Sequence, residues 1–72
     1  MRFSRMIETT EINGEYYAYC EPLAESGYGQ TRELAINNLR LKLEDYKASL
    51  LERKGRLSAT LKSDLTYLER NL

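Results

Sequence analysis

The dipeptide Asn13-Gly14 constrains the fold of this chain more than any other short feature of its sequence. Both residue types tolerate the positive φ angles of a type I′ turn, so the pair is a strong signal for a tight β-hairpin. The flanking segments, 3–12 and 15–20, are rich in Thr, Ile, Tyr and Phe, which favour strands. We therefore predict two antiparallel strands joined by a two-residue turn.

This turn also fixes the register of the hairpin, and the register decides which side chains share a face. The predicted cross-strand pairs are Ile12 with Glu15, Thr9 with Ala18, and Ile7 with Cys20. One face then holds Phe3, Ile7, Thr9, Tyr16, Ala18 and Cys20. Because Cys and Ala are among the residue types most often buried, we assign this face to the core. The opposite face, which is apolar for a surface, holds Met6, Thr10, Ile12, Tyr17 and Tyr19.

The segment after the hairpin carries the signals of a loop, a short strand and a helix start. Pro22 ends the second strand, because it has no N–H to donate to a ladder. We predict a loop over residues 21–27 and a short third strand over residues 27–30. Thr31 is a good helix N-cap, so the first helix is predicted to begin there.

Residues 31–52 follow the period of an amphipathic helix. The repeating apolar positions are Ile36, Leu39, Leu43, Tyr46 and Leu50. Leu34, Ala35 and Leu41 are predicted to widen this stripe. A wide stripe suits a helix that lies across a sheet, and Gly55 is the predicted stop of this helix.

The C-terminal segment, residues 56–72, has two interpretations. Its leucines follow helical spacing, at Leu57, Leu61, Leu65, Leu68 and Leu72. A helix over residues 58–71 with Ser58 as its N-cap is the preferred interpretation, and a fourth strand over residues 56–61 is the alternative. The segment is either part of the same domain as residues 1–55 or an oligomerisation element.

Together these elements predict the α+β class. The expected architecture is a small antiparallel sheet of three or four strands, with one long helix packed on one face and a helix at the C-terminus.

The composition argues against an enzyme active site. The chain has no His and a single Cys, which excludes a Ser-His or Cys-His nucleophile pair, a Cys/His zinc site and an internal disulfide. Cys20 is predicted to pack as a small hydrophobe, with a reactive thiol as the alternative. We therefore expect no catalytic residue, no metal and no cofactor.

Charge and hydropathy restrict the partners and the location. Lys and Arg number 11, and Asp and Glu also number 11. Nucleic-acid binders usually carry a basic surplus, so we expect no tight nucleic-acid binding. No apolar run approaches the ~18 residues of a membrane span, and the N-terminus lacks the apolar stretch of a signal peptide. We expect a cytoplasmic protein.

Tyr17 and Tyr19 lie two residues apart on one strand face, and three interpretations are open for them. Aromatics placed in this way stack bases in RNA-binding sheets of the RRM type. They also form protein interfaces, where Tyr is enriched. The third interpretation is an ordinary structural role.

Two stretches of the chain resemble the N-terminal domain of HicB-type antitoxins. Residues 13–23 match the family's turn followed by Tyr-x-Ala-x-Cys, Pro and Leu, here at Tyr16, Ala18, Cys20, Pro22 and Leu23. Residues 29–40 match its helix start, Gly-x-Thr-x-x-x-Ala-x-x-Asn-Leu, here at Gly29, Thr31, Ala35, Asn38 and Leu39. The similarity covers residues 1–50.

The resemblance implies an antiparallel sheet of three or four strands with one helix packed on it, similar to a partial double-stranded-RNA-binding domain. It also implies a function, which is inhibition of a small HicA-type ribonuclease toxin. A stand-alone domain of this kind could equally inhibit another target, such as a protein of the host or of a mobile element.

Self-association is expected from the size of the chain and from its apolar strand face. A domain this small buries only ~60% of the surface that its unfolded chain exposes, and a contiguous apolar patch usually marks a contact surface. We favour a homodimer, and a purely structural oligomerisation domain is a further alternative. The predicted interface residues are Met6, Ile12, Tyr17, Tyr19, Leu61, Leu65, Leu68 and Leu72.

Overall fold

The computed structural model describes residues 6–72, which form an α+β fold. The elements are β1 (Glu8–Ile12), β2 (Glu15–Cys20), β3 (Glu25–Gly29), α1 (Arg32–Glu52) and α2 (Ala59–Asn71). The strands form one antiparallel sheet in the order β1-β2-β3, and α1 packs on one face of it. The predicted class and the position of the long helix are confirmed.

The hairpin turns at Asn13-Gly14, with φ angles of 54° and 84°. These positive values are the ones that a type I′ turn requires, and they explain why this dipeptide is so informative. The predicted register is confirmed where β1 and β2 pair, including Ile12 with Glu15. Ile7 precedes β1 and packs against the core, so its predicted pairing with Cys20 is not part of the ladder. Phe3 lies outside the described residues.

The third strand begins earlier than the sequence predicts, at Glu25. Residues Glu21–Leu23 form a 3₁₀ turn, and the N–H of Ala24 closes it by donating to the carbonyl of Glu21 at 3.1 Å. Ala24 has a φ of 53° and completes the chain reversal that the 3₁₀ turn begins. Alanine seldom adopts this left-handed conformation, so the sequence gives no signal for so short a connection.

Two glycines of β3 bring α1 into direct contact with the strand backbone. A Cβ on Gly27 would lie 2.5 Å from the backbone nitrogen of Leu39 and 2.9 Å from the carbonyl oxygen of Ala35. A Cβ on Gly29 would lie 2.6 Å from the Cβ of Leu34. All three distances are far below van der Waals contact, so β3 needs glycine at these positions.

Helix α1 begins as predicted, because the Oγ1 of Thr31 accepts the N–H of Leu34 at 3.1 Å. Its fully buried residues are Ala35, Leu39, Leu43 and Leu50. Leu34 and Leu41 remain 48% and 52% exposed, so the prediction that they widen the buried stripe is wrong. The helix ends at Glu52, before Gly55, which lies in a second 3₁₀ turn at Lys54–Arg56.

The C-terminal segment is helical, which excludes a fourth strand over residues 56–61. The Oγ of Ser58 accepts the N–H of Leu61 at 3.3 Å and caps α2, as predicted. Helix α2 packs against α1, where the hydroxyl of Tyr46 donates to Oδ2 of Asp64 at 2.7 Å.

A single core joins the sheet to both helices. Its buried members are Ala18, Cys20, Ala35, Leu39, Leu43, Leu50, Leu57, Leu65 and Leu68. Ala18 and Cys20 belong to the strand face that was assigned to the core from the hairpin register. The other face of the sheet is left without a covering element in the described part of the chain.

Candidate protein-binding face

The uncovered side of the sheet, here named the outer face, carries side chains from all three strands. Strand alternation and the observed register place these residues together. They are Glu8, Thr10 and Ile12 of β1, Glu15, Tyr17 and Tyr19 of β2, and Ser26 and Tyr28 of β3.

An aromatic pair lies at the centre of the outer face. Tyr17 and Tyr28 are direct cross-strand partners, and their rings stack with centroids 6.1 Å apart at an interplanar angle of 30°. This separation is within the range of favourable aromatic pairs. Tyr28 is nevertheless 62% exposed, so much of its ring is available to a partner.

Tyr28 is a residue of the face that the sequence analysis missed. The third strand was predicted to begin too late, and its register with β2 was not assigned. Side chains alternate between the two faces of residues 25–29, so Tyr28 lies on the face that does not carry Gly27 and Gly29. This alternation is the signal that identifies the face of Tyr28.

Ile12 and Tyr19 extend the exposed apolar surface on either side of this pair. Both are exposed, as predicted for the second face of the hairpin. Each has a carboxylate as its direct cross-strand neighbour, since Ile12 pairs with Glu15 and Tyr19 pairs with Glu8. The outer face is thus an aromatic and aliphatic surface with acidic groups beside it.

The neutral total charge of the chain hides a strong separation of charge. Residues 6–30, which include the whole sheet, contain five Glu and no Lys or Arg. Residues 31–72 contain nine Lys and Arg against six Asp and Glu. Arg2 and Arg5 lie outside the described residues. A sum over the chain cannot reveal this separation, but a count over each predicted element would have found it.

The leucines that were predicted at an interface lie instead in or against the core. Leu65 and Leu68 are buried among core residues, and Leu61 and Leu72 pack against them. The apolar side of α2 therefore has its partner within the chain, on α1 and the core side of the sheet. The interface prediction is therefore wrong for Leu65 and Leu68, which are buried, while Leu61 and Leu72 are only partly buried.

Met6 needs the same correction. It precedes β1 and packs against the core, so it does not join Ile12, Tyr17 and Tyr19 on the outer face. The prediction placed Met6 on the outer face by extending the strand alternation toward the N-terminus. The strand begins at Glu8, so the alternation does not apply to the residues before it.

Cys20 lies at the end of β2 and is fully buried. Burial away from water raises the pKa of its thiol, and the nearby carboxylate of Glu25 raises it further. A hydrogen bond with the backbone of Leu23 acts in the opposite direction and is smaller than the effect of burial. These surroundings favour a packing role over a nucleophilic one.

Residues 6–72 carry neither a metal site nor a membrane-spanning helix. No group of three or more Cys, Asp and Glu side chains converges to hold a metal ion there. Neither of the described helices combines the length and apolar character that crossing a membrane requires.

Comparison of the chain with protein-family models, with curated proteins and with solved structures finds no match. The likeness to HicB-type antitoxins therefore stays a prediction from the residues quoted above.

Proposed function

We propose that this chain is a non-catalytic binding module whose outer face recognises a basic surface on another protein. The observation that carries the proposal is the exposed surface of Ile12, Tyr19 and Tyr28, which lies in a segment with five Glu and no Lys or Arg. Exposed apolar surface of this kind marks contact sites, and tyrosine is enriched in them. The acidic neighbours select a partner of opposite charge.

The sign of the charge favours a protein over a nucleic acid. Base stacking on aromatic side chains normally occurs in a positively charged groove that neutralises the phosphates. On the outer face, the charged side chains beside Tyr17 and Tyr19 are Glu15 and Glu8, which repel phosphate. The same carboxylates attract Lys and Arg side chains of a protein.

The resemblance to HicB-type antitoxins supports a specific class of basic partner. It implies a small ribonuclease toxin, and a protein that cleaves RNA needs basic groups to bind the phosphate backbone. An acidic, tyrosine-bearing face complements such a basic surface, and its binding would block the access of RNA to that surface. In this proposal the protein acts in the cytoplasm, in agreement with a single cysteine kept as a buried thiol.

The stacked pair of Tyr17 and Tyr28 supports a second candidate, an RNA-binding module. Aromatics on adjacent strands are the platform on which such sheets stack bases. This candidate predicts capture of RNA that is lost after ribonuclease treatment. The first candidate predicts a complex that survives the treatment.

The deciding experiment begins with capture from the native cell by the tagged full chain, with and without ribonuclease. The captured protein is then produced separately, and its affinity is measured by calorimetry. We expect the variant Tyr19→Ser/Tyr28→Ser to bind at least about tenfold more weakly, because interface tyrosines are common hot spots.

The matched control is Leu41→Ser, which removes an apolar side chain of similar exposure from α1. It should bind like the unaltered chain. Glu8→Lys/Glu15→Lys should weaken binding, mainly through a slower association rate. Equal affinity of the tyrosine variant and the control, with both still folded by circular dichroism, would contradict the proposal.

A further inference from the structure

The sheet has two edges, and the side chains of α1 occupy one of them. Nζ of Lys42 donates to the carbonyl oxygen of Ser26 at 2.7 Å, and Nδ2 of Asn38 donates to the carbonyl oxygen of Tyr28 at 2.7 Å. Asn38 and Lys42 are one helical turn apart on the same side of α1, so they reach carbonyls that are two residues apart on β3. Both outward carbonyls of this edge strand are thereby satisfied.

These hydrogen bonds also show which backbone groups of the sheet point outward. If Ser26 and Tyr28 direct their carbonyls away from β2, their partners Tyr19 and Tyr17 direct their backbone groups toward β1. The two-residue hairpin requires the same arrangement. Thr9 and Glu11 then alternate with the bonded residues and direct their N–H and C=O groups to the outer edge of β1.

The edge of β1 is built differently from that of β3. No strand in the described part of the chain pairs with it, and Glu8, Thr10, Glu11 and Ile12 are exposed. The strand contains no proline and no lysine, which are the usual protection against strand addition. Its charged side chains are Glu8 and Glu11, which disfavour pairing with a second copy of β1 but not with a basic strand.

We infer that β1 accepts an extended, lysine- or arginine-bearing segment of the partner as a fourth strand of the sheet. The segment pairs with the N–H and C=O groups of Thr9 and Glu11, and its basic side chains on the outer face lie beside the carboxylate of Glu8. Strand addition gives affinity through the main chain and selectivity through alternate side chains. This inference deepens the proposed function and rests on it for the sign of the partner's charge.

The probe is the synthetic peptide acetyl-Thr-Lys-Val-Lys-Val-Lys-Thr-amide, titrated into the isotope-labelled full chain. In nuclear magnetic resonance spectra we expect the amides of Thr9 and Glu11 to shift and to become protected from solvent exchange. The amides of Ser26 and Tyr28, on the opposite edge, should not change. Protection of Ser26 or Tyr28 without protection of Thr9 and Glu11 would place the strand on the wrong edge and overturn the inference.

Two control peptides separate strand pairing from simple charge attraction. The first has Glu in place of every Lys, and it should bind at least about tenfold more weakly. The second keeps the lysines but carries N-methyl groups on the backbone nitrogens that face β1, and it should not protect Thr9 or Glu11. Equal binding of the N-methylated peptide would reduce the effect to surface electrostatics and overturn the inference, as would no binding of the probe at millimolar concentration.

The variant Thr9→Pro tests the same edge from the side of the protein. Thr9 directs its N–H away from β2, so proline removes a group used only by an added strand, and edge strands tolerate proline. We expect a folded chain that has lost most of its affinity for the probe. If Thr9→Pro does not fold, the N-methylated peptide still decides the question on the unaltered chain.

The two proposals fail separately. In one outcome, the probe binds at Thr9 and Glu11, but the captured partner binds the Tyr19→Ser/Tyr28→Ser variant as tightly as the unaltered chain. This outcome would support strand addition at β1 and contradict binding through the outer face. Loss of partner binding in that variant, together with no protection of Thr9 and Glu11 by the probe, would support the face and contradict the edge.

Discussion

Gly27 sets how closely α1 approaches the sheet, because any side chain there would meet helix backbone. A Cβ would lie 2.5 Å from the backbone nitrogen of Leu39, and backbone cannot move aside as a flexible side chain can. We expect Gly27→Ala to lower the free energy of unfolding by ~1–3 kcal/mol through overpacking. Urea denaturation measures this change.

The matched control for Gly27→Ala is Gly55→Ala. A Cβ at Gly55 would meet nothing within 4 Å, and its φ is not in the left-handed region. Alanine there should be neutral or should stabilise the fold by ~0.4–1 kcal/mol, because it restricts the unfolded chain. Similar losses in the two variants would refute the close approach of α1 to β3.

The thiol of Cys20 is expected to react slowly in the folded protein. It is fully buried, and burial raises its pKa, so little thiolate is present near neutral pH. Labelling with a thiol-specific disulfide reagent should be much slower in buffer than in denaturant, where the same thiol is exposed. Equally fast labelling in both conditions would restore the reactive-thiol interpretation.

At the scale of elements, the titratable hydroxyl of Tyr46 forms a hydrogen bond that joins α1 to α2. The Tyr46 hydroxyl donates to Asp64, and burial, followed by that carboxylate, raises the pKa of Tyr46 from 10.0 to about 12. The folded state therefore holds this proton more tightly than the unfolded state. The resulting stabilisation is complete below pH 10.0 and is lost as the pH rises through about 12.

Tyr46→Phe removes the donor and should lower the free energy of unfolding by about 1 kcal/mol at neutral pH. Its stability should also fall less steeply than that of the unaltered chain in strongly alkaline solution. Denaturation midpoints measured across the alkaline range check both points. Parallel pH profiles of the two proteins would contradict a role for this hydrogen bond.

The sequence predicts those elements whose signals are local. Asn13-Gly14, Thr31 and Ser58 act through their own backbone angles or through hydrogen bonds to residues three positions away, so the hairpin and both helix starts were correct. The start of β3 was not, because Ala24 adopts its left-handed angle only in the context of the fold.

The same distinction applies to the candidate site. Ile12, Tyr17 and Tyr19 were placed on one face by a register that the turn alone decides. Tyr28 joins them only through the β2–β3 pairing, which depends on a longer connection. Whether the leucines of α2 are buried within the chain depends on whether α1 packs against them. No local sequence pattern contains that information.

At the scale of the whole molecule, the homodimer stays a prediction, now limited to the exposed sheet. Tyr19→Ala should weaken such a dimer without unfolding the chain, because Tyr19 is exposed. Sedimentation equilibrium at high micromolar concentration measures it. A folded chain with the mass of a monomer would rule the homodimer out and leave the outer face to a different partner.

Leu65→Glu is expected to act differently from Tyr19→Ala. Leu65 is 4% exposed and belongs to the apolar core, so a carboxylate there would be buried among apolar side chains. We expect a loss of ~3 kcal/mol or more, which is a large part of the stability of so small a domain. A variant that remains folded and merely dissociates would return α2 to the interface.

Within residues 6–72, the separation of charge between the sheet and the helices creates an electric dipole. A dipole of this kind turns the molecule before contact, so that its acidic side leads when it diffuses toward a positively charged body. A larger fraction of diffusional encounters then begins in an orientation that leads to binding, which raises the association rate. The benefit fades as dissolved salt shortens the reach of the field to about 10 Å and below.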